Sequence, residues 1–395
     1  MQPILEFPES NINIVKFTVI LPGGRIAETK KAQSFLTAKM IKKGSKNHTA
    51  FQIEEIIDFN GATIEVESGY DEIHISLFCL KQQFPALINL FHEVVFDAVF
   101  DAAEFALLKN IRIEKLKQAL SKNESVAERT LGMHLFGADH PYGYATSEQN
   151  YIDIQLSDIE DFYRAHYQKS KAKYIIVGDY DAAHIQTIHA LFIPKDYFFY
   201  AGDDAQPFVL SPSPEKYHTV TLPNPYQSSI KIGWHTIAPS HPDSIDLSIL
   251  NTIFGGYFGS RLMGKIREEK GYTYGIYSQI FNQKYGSYGY ISTDTDKKHI
   301  TKVLKEIQSE IDRLKQEIIP QEELDLVKNY LKGDLLRDID GSFKLAEAQY
   351  RIMKFGLPAD YYARFIARID QISAEDLKAI ANKYLNFDQC HVIVV

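Results

Sequence analysis

The chain has 395 residues, 45% hydrophobic and 24% charged, an ordinary globular composition that is too long for one core. Its formal net charge of −8 argues against a nucleic-acid partner. No apolar run approaches the roughly 20 residues that cross a membrane, so no membrane role is expected.

The first segment, "MQPILEFPESNINIVKF", lacks a basic region followed by an apolar stretch. A cytoplasmic location is therefore expected, or a periplasmic one if this is a mature form. "VKFTVILPGGRIAETKKAQSFLTAKMI" reads as a strand, a Pro-containing loop and an apolar helix. Residues 62–80 alternate like a hairpin, with Gly69, Tyr70 and Asp71 near its turn. "FPALINLFHEVVF" has the 3.6-residue period of a helix. Residues 158–179 read as a helix, a short link and a strand, and "DDAQPFVLSPSPEKY" (203–217), rich in Pro and Ser, reads as a linker.

Beyond the linker the plan repeats. "IKIGWHTIAPSHPDSIDLSILNTIF" is again strand, Pro loop and apolar helix. Residues 275–296 repeat the hairpin, "KKHITKVLKEIQSEIDRLKQEI" the long helix, and 374–395 the closing helix and strand. Tyr167 and Tyr384 correspond at an offset of 217, Asn110 and Asn329 at 219. A near-constant offset marks a duplication. The expected domains are 1–205 and 206–395. Strand pairs followed by long helices give an α+β class, with antiparallel-rich sheets packed on helices.

The search for chemistry is mostly negative. His92-Glu93 begins an H-E-x-x-H pattern, but Phe96 stands at the second His position, so the pair reads as part of a helix edge. The glycines of "FGGYFGS" miss the G-x-G-x-x-G spacing, and flexibility at a helix opening explains them equally well. No G-x-S-x-G occurs, and Cys79 and Cys390 read as buried thiols. One stretch stands out. "SRLMGKIREEKGYTYG" runs a short amphipathic helix into a glycine and places Arg267 close to Tyr274. Taken alone it also fits ordinary structure: Ser260 suits an N-cap, Leu262, Met263 and Ile266 an apolar stripe, Gly271 a C-terminal cap, and Arg267 the helix dipole. Arg261 reads as a structural residue at the helix start.

The duplication, residues 140–181 and "FGGYFGSRLMGKIREEKGYTYGIYS" resemble the pitrilysin/insulinase-type zinc peptidases, the group that includes mitochondrial processing peptidase. The similarity extends over almost the whole chain. It implies two homologous halves enclosing a concave face. In that family an arginine is followed by a glycine four residues on and a tyrosine seven on, here Arg267, Gly271 and Tyr274. The family's zinc motif, H-x-x-E-H, falls on Phe35, Ala38 and Lys39, and its later Glu near Lys115, beside Glu114. None of the three motif positions can hold or serve a metal, and no H-x-x-E-H occurs anywhere in the chain. The resemblance therefore implies a subunit without zinc. A homologous partner chain would bind the zinc in a heterodimer closing on peptide substrates, while Arg267 and Tyr274 bind the peptide and stabilise the oxyanion. A homodimer, an inactive structural subunit and a stand-alone peptide binder working by strand addition are the alternatives.

Overall fold

The computed structural model describes residues 3–195, 197, 208–223 and 227–395. The part of the expected linker at 203–207 lies outside them. Among the described residues, ten strands form two five-stranded sheets. The first holds β1 (Ile4–Pro8), β2 (Ile14–Pro22), β3 (Thr63–Ser68), β4 (Glu72–Leu80) and β5 (Lys173–Gly178), in the order β1-β5-β2-β4-β3. The second holds β6 (Tyr217–Thr219), β7 (Gln227–Thr236), β8 (Thr273–Gln283), β9 (Gly286–Asp296) and β10 (His391–Val394), in the order β6-β10-β7-β9-β8. In each sheet the first strand runs parallel to the last and all other neighbours are antiparallel.

The helices repeat as well. The first half carries α1 (Gln33–Met40), α2 (Ala50–Phe59), α3 (Phe84–Phe96), α4 (Ala102–Leu120), α5 (Asn123–Phe136), α6 (Glu148–Asp153), α7 (Leu156–His166) and α8 (Ala182–Phe192). The second carries α9 (Ser244–Asn251), α10 (Ile300–Gln316), α11 (Gln321–Asp338), α12 (Gly341–Phe355), α13 (Tyr361–Gln371) and α14 (Ala374–Tyr384), with π-helical turns at Thr252–Gly256 and Met263–Glu269. Element for element, α1 matches α9, α2 the turn at Met263–Glu269, and α3–α7 match α10–α14. The chain is two homologous α+β halves, and both hairpins and both long helices stand where alternation and the 3.6 period predict them.

The compact units are not the chain halves. One comprises Met1–Leu116, Thr146–Pro207 and Ile339–Gln349, the other Lys117–Ala145, Phe208–Asp338 and Tyr350–Val395. The segment containing α5 thus belongs with the second sheet. There Val126, Ala127 and Leu131 pack with Ile393 and Val395.

Each unit has its own core. In the first, Phe17 of β2 meets Phe192 of α8 edge-on at 4.9 Å and Phe91 of α3 at 5.8 Å. Tyr174 stacks on Phe17 and places its buried hydroxyl 2.9 Å from the Phe192 carbonyl, so a large apolar ring enters the core without a stranded donor. Cys79 and Cys390 are buried free thiols, and burial pushes both up to about 12. Neither is a nucleophile at neutral pH.

Candidate functional site

The positions of the lost metal motif lie on α1, which is locked in place by buried polar contacts. Gln33 Nε2 donates to the Asp158 carbonyl at 2.7 Å, and Ser34 Oγ donates to Glu28 at 2.6 Å. Thr37 Oγ1 donates to the Gln33 carbonyl at 2.8 Å. On this rigid helix Phe35 is half-buried, Ala38 fully buried and Lys39 exposed. Lys39 Nζ donates to the Val66 carbonyl at 3.1 Å. A phenyl ring, a methyl group and an ammonium offer no lone pair to zinc, so these residues do not fit the ion. Among the described residues no group of three or more His, Cys, Asp or Glu side chains is arranged to hold a metal.

The His92-Glu93 pair of α3 serves structure. His92 is packed edge-on against Phe192, with ring centroids 5.2 Å apart. Burial would raise the pKa of the Glu93 carboxyl, but Ser45 Oγ, the Asn47 N–H and Nδ2, and His48 all bond to it and pull it down to about 2. Glu93 organises the loop before α2 and is not available as a metal ligand.

The second unit carries the Arg/Tyr stretch. Its helical run is wider than an α-helix: the Lys270 N–H bonds to the Lys265 carbonyl and the Tyr272 N–H to the Ile266 carbonyl. Leu262 and Ile266 are fully buried, and the Ile276 N–H lies 3.4 Å from Met263 Sδ, which ties the run to β8. Gly271 ends it at φ +62° with nothing within 4 Å of an added Cβ, so the glycine serves the left-handed backbone alone. The expected Ser260 cap does not form. Its carbonyl accepts from the Gly264 N–H at 2.9 Å as an N-cap carbonyl does, but its hydroxyl is buried without a hydrogen-bond partner among the described residues. The glycines before it answer to packing, not flexibility: a Cβ at Gly255 would sit 2.7 Å from Cβ of Ser278 on β8.

Two arginines of this run have opposite surroundings. Arg261 is held in a bidentate pair, Nε and Nη2 each 2.8 Å from the Glu323 carboxylate, with its side chain 9% exposed. Arg267 is 35% exposed, and its nearest carboxylate, Glu268, is 3.9 Å away. Glu269 is already taken by Lys265 at 2.8 Å and Lys270 at 2.9 Å, and these hydrogen bonds lower its pKa to about 2. The Arg267 guanidinium instead lies over the exposed Phe258 ring, 4.7 Å from its centroid. That platform fixes the cation and leaves its in-plane donors unspent; among the described residues no acceptor bonds to it.

Tyr274 lies on a bulge. Thr273 faces Thr295 and Ile276 faces Thr293, so β8 carries one residue more than β9 between them. Two hydroxyls pin the irregularity: Thr293 Oγ1 and Thr273 Oγ1 each lie 2.9 Å from the Gly275 carbonyl. The side chain of Tyr274 is thrown outward, 91% exposed, and its hydroxyl has no partner among the described residues. The resemblance singled out Arg267 and Tyr274 as candidates. It could not identify Phe258, Thr273 and Thr293, which hold the pair in place; an aromatic nine residues before the arginine is the one signal available.

Two family models match the chain, with a boundary that falls within its first half. Residues 8–145 match the family model described as Insulinase (Peptidase family M16), and 153–331 the one described as Peptidase M16 inactive domain. The chain belongs to peptidase family M16. Within M16 it is 23% identical over 350 residues to the Helicobacter pylori protein named Non-peptidase homolog YmxG, covering 87% of this chain and 79% of that one. It is 21% identical over 310 residues to the Bacillus subtilis Uncharacterized zinc protease YmxG, covering 77% and 73%. A solved M16 inactive domain from Pseudomonas fluorescens superposes with a TM-score of 0.84 at 24% identity, covering 99% of this chain and 95% of that one. This M16 chain keeps the fold on both sides and lacks the motif that binds zinc.

Proposed function

We propose that the chain is the non-metal-binding subunit of a heteromeric zinc metallopeptidase and supplies Arg267 and Tyr274 to a peptide bound with a homologous zinc-bearing chain. The observation that carries this reading is the contrast between the two arginines. A structural arginine in this run finds a carboxylate, as Arg261 does. Arg267 has only the Glu268 carboxylate at 3.9 Å and, among the described residues, donates no hydrogen bond from its place over an aromatic platform, and Tyr274 is held out on a pinned bulge, 91% exposed. A guanidinium stays charged at any working pH, and a phenol donates one hydrogen bond. Together they suit an oxygen that gains negative charge when a peptide carbonyl is attacked. The metal and the activated water belong to the partner.

The test is reconstitution. Mixed with a family chain that carries H-x-x-E-H, this chain should restore peptide cleavage. Arg267→Ala and Tyr274→Phe should each lower kcat by ~10²–10³ while peptide affinity changes far less. Assembly should survive both substitutions, as size-exclusion chromatography will show. Unchanged kcat in both variants would leave the chain a structural subunit.

A further inference from the structure

Where the family binds its metal, this chain carries positive charge. The Arg112 guanidinium of α4 lies over the Phe35 ring, 4.3 Å from its centroid, and the Lys39 ammonium lies 5.7 Å from the same centroid. Lys42 and Lys115 are close enough to act on Lys39: its pKa is lowered first by partial burial, then by repulsion from Arg112 and Lys42, and least by Lys115. Compensation is incomplete. Lys42 meets Glu54 at 3.3 Å, and Glu67 of β3 acts on Lys39 from beyond ion-pair distance. Among the described residues no carboxylate pairs with Arg112, Lys39 or Lys115, in a protein whose net charge is −8. Arg112 Nε is buried with no hydrogen-bond partner, so the side chain is held by its ring contact and not by an acceptor.

The same lysines act on the sheet edge. Lys39 Nζ donates to the Val66 carbonyl at 3.1 Å and Lys42 Nζ to the Ile64 carbonyl at 3.2 Å. Both carbonyls belong to β3, the outermost strand of its sheet. An incoming strand needs such acceptors, so strand addition is obstructed here. What this face offers a ligand is charge.

We propose that Arg112 and Lys39, arranged around Phe35, form with the nearby charge of Lys115 a binding site for a peptide carboxylate. A guanidinium presents two parallel donors that match a carboxylate, its stacking on Phe35 fixes their plane, and the lysines add attraction without demanding geometry. The choice of a peptide as the bearer of the carboxylate rests on the proposed function; the charged site does not.

Calorimetric titration of the full chain alone tests this, so failure to reconstitute a peptidase and failure of this site are separate results. The probes are acetyl-tetraalanine as free acid, the same peptide as C-terminal amide, and an acetylated Ala-Glu-Ala-Ala amide. The free acid should bind at least tenfold more tightly than the tetraalanine amide, and less tightly as NaCl rises from 50 to 300 mM. The glutamate peptide shows whether a side-chain carboxylate serves as well as a terminal one; binding by either supports the site. Arg112→Gln should weaken carboxylate binding tenfold or more. Arg112→Lys, which keeps the charge and loses the fork, should fall between, and it decides the matter if Arg112→Gln does not fold. Binding of neither carboxylate peptide more tightly than the tetraalanine amide, no binding of either carboxylate peptide at millimolar concentration, or indifference to Arg112 substitution overturns the proposal.

Discussion

Arg261 and Arg267 lie on one helical run, six residues apart, and their neighbours decide what each does. Glu323 closes both ends of the Arg261 fork, and removing either partner would leave a largely buried charge alone. Among the described residues Arg267 meets the ring of Phe258 and, at 3.9 Å, the Glu268 carboxylate, with no hydrogen bond to either. In the sequence only Arg267 stands beside acidic residues, so the sequence points to the wrong arginine as the paired one: Glu323 comes from a distant helix to pair with Arg261, while Glu269 is consumed by two lysines. Glu93 offers a cleaner test at this scale. Its folded pKa of about 2 lies below the ordinary value, so its stabilisation is complete above about pH 4.5 and is lost as pH falls through 2. Glu93→Gln should destabilise the first unit by about 1–3 kcal/mol at neutral pH, since the amide cannot serve four donors as a carboxylate does. Chemical denaturation checks the magnitude, and carbon-detected NMR titration of the Glu93 carboxyl checks the pKa.

Elements were legible where their period is local. The hairpin at 62–80, its counterpart at 275–296 and the helix at 84–96 follow from alternation and amphipathic spacing, and the structure places them at Thr63–Leu80, Thr273–Asp296 and Phe84–Phe96. The π-helical run and the β8 bulge were not legible. Widening a helix by one residue per turn leaves no signature in residue type, and a bulge depends on the partner strand's register. The bulge matters because it sets the direction of Tyr274. Thr293→Val keeps the shape of the side chain and removes a hydroxyl from the Gly275 carbonyl. The expected outcome is a reconstituted enzyme whose kcat falls by up to ~10²-fold with KM little changed, since a small misplacement of an oriented group suffices. Altered amide shifts confined to 273–276 would accompany it. A parallel loss of melting temperature with unshifted amides there would assign Thr293 to stability instead.

At the scale of the molecule, duplication was the strongest sequence signal and survives as two sheets of identical strand order. The assignment of α5 to the second unit was invisible, because its apolar face announces burial without naming the partner. That helix brings His134 to a cluster in the second unit. Its ring stacks on His218 at 3.5 Å, and Lys216 Nζ lies 3.0 Å from Nε2 of the buried His391. Burial, with Lys216, His218, His134 and His235, lowers the pKa of His391 to about 4. The unfolded chain takes up that proton near pH 6.5, so stability of this unit is full above 6.5 and is lost progressively as pH falls to about 4. Trp234, the single tryptophan of the chain, sits on β7 in the same unit and reports its unfolding by fluorescence. His391→Gln should flatten the pH dependence between 6.5 and 4.

The central claim is a division of labour between a metal-free chain and a zinc-bearing one. The most direct measurement is peptide cleavage by this chain alone, by a family chain carrying H-x-x-E-H alone, and by the two together, with zinc quantified in each sample. The expected result is no stoichiometric zinc and no cleavage for this chain, and activity in the mixture that Arg267→Ala or Tyr274→Phe lowers by ~10²–10³. One tightly bound zinc per chain with chelator-sensitive cleavage by this chain alone, or a mixture indifferent to both substitutions, would contradict it.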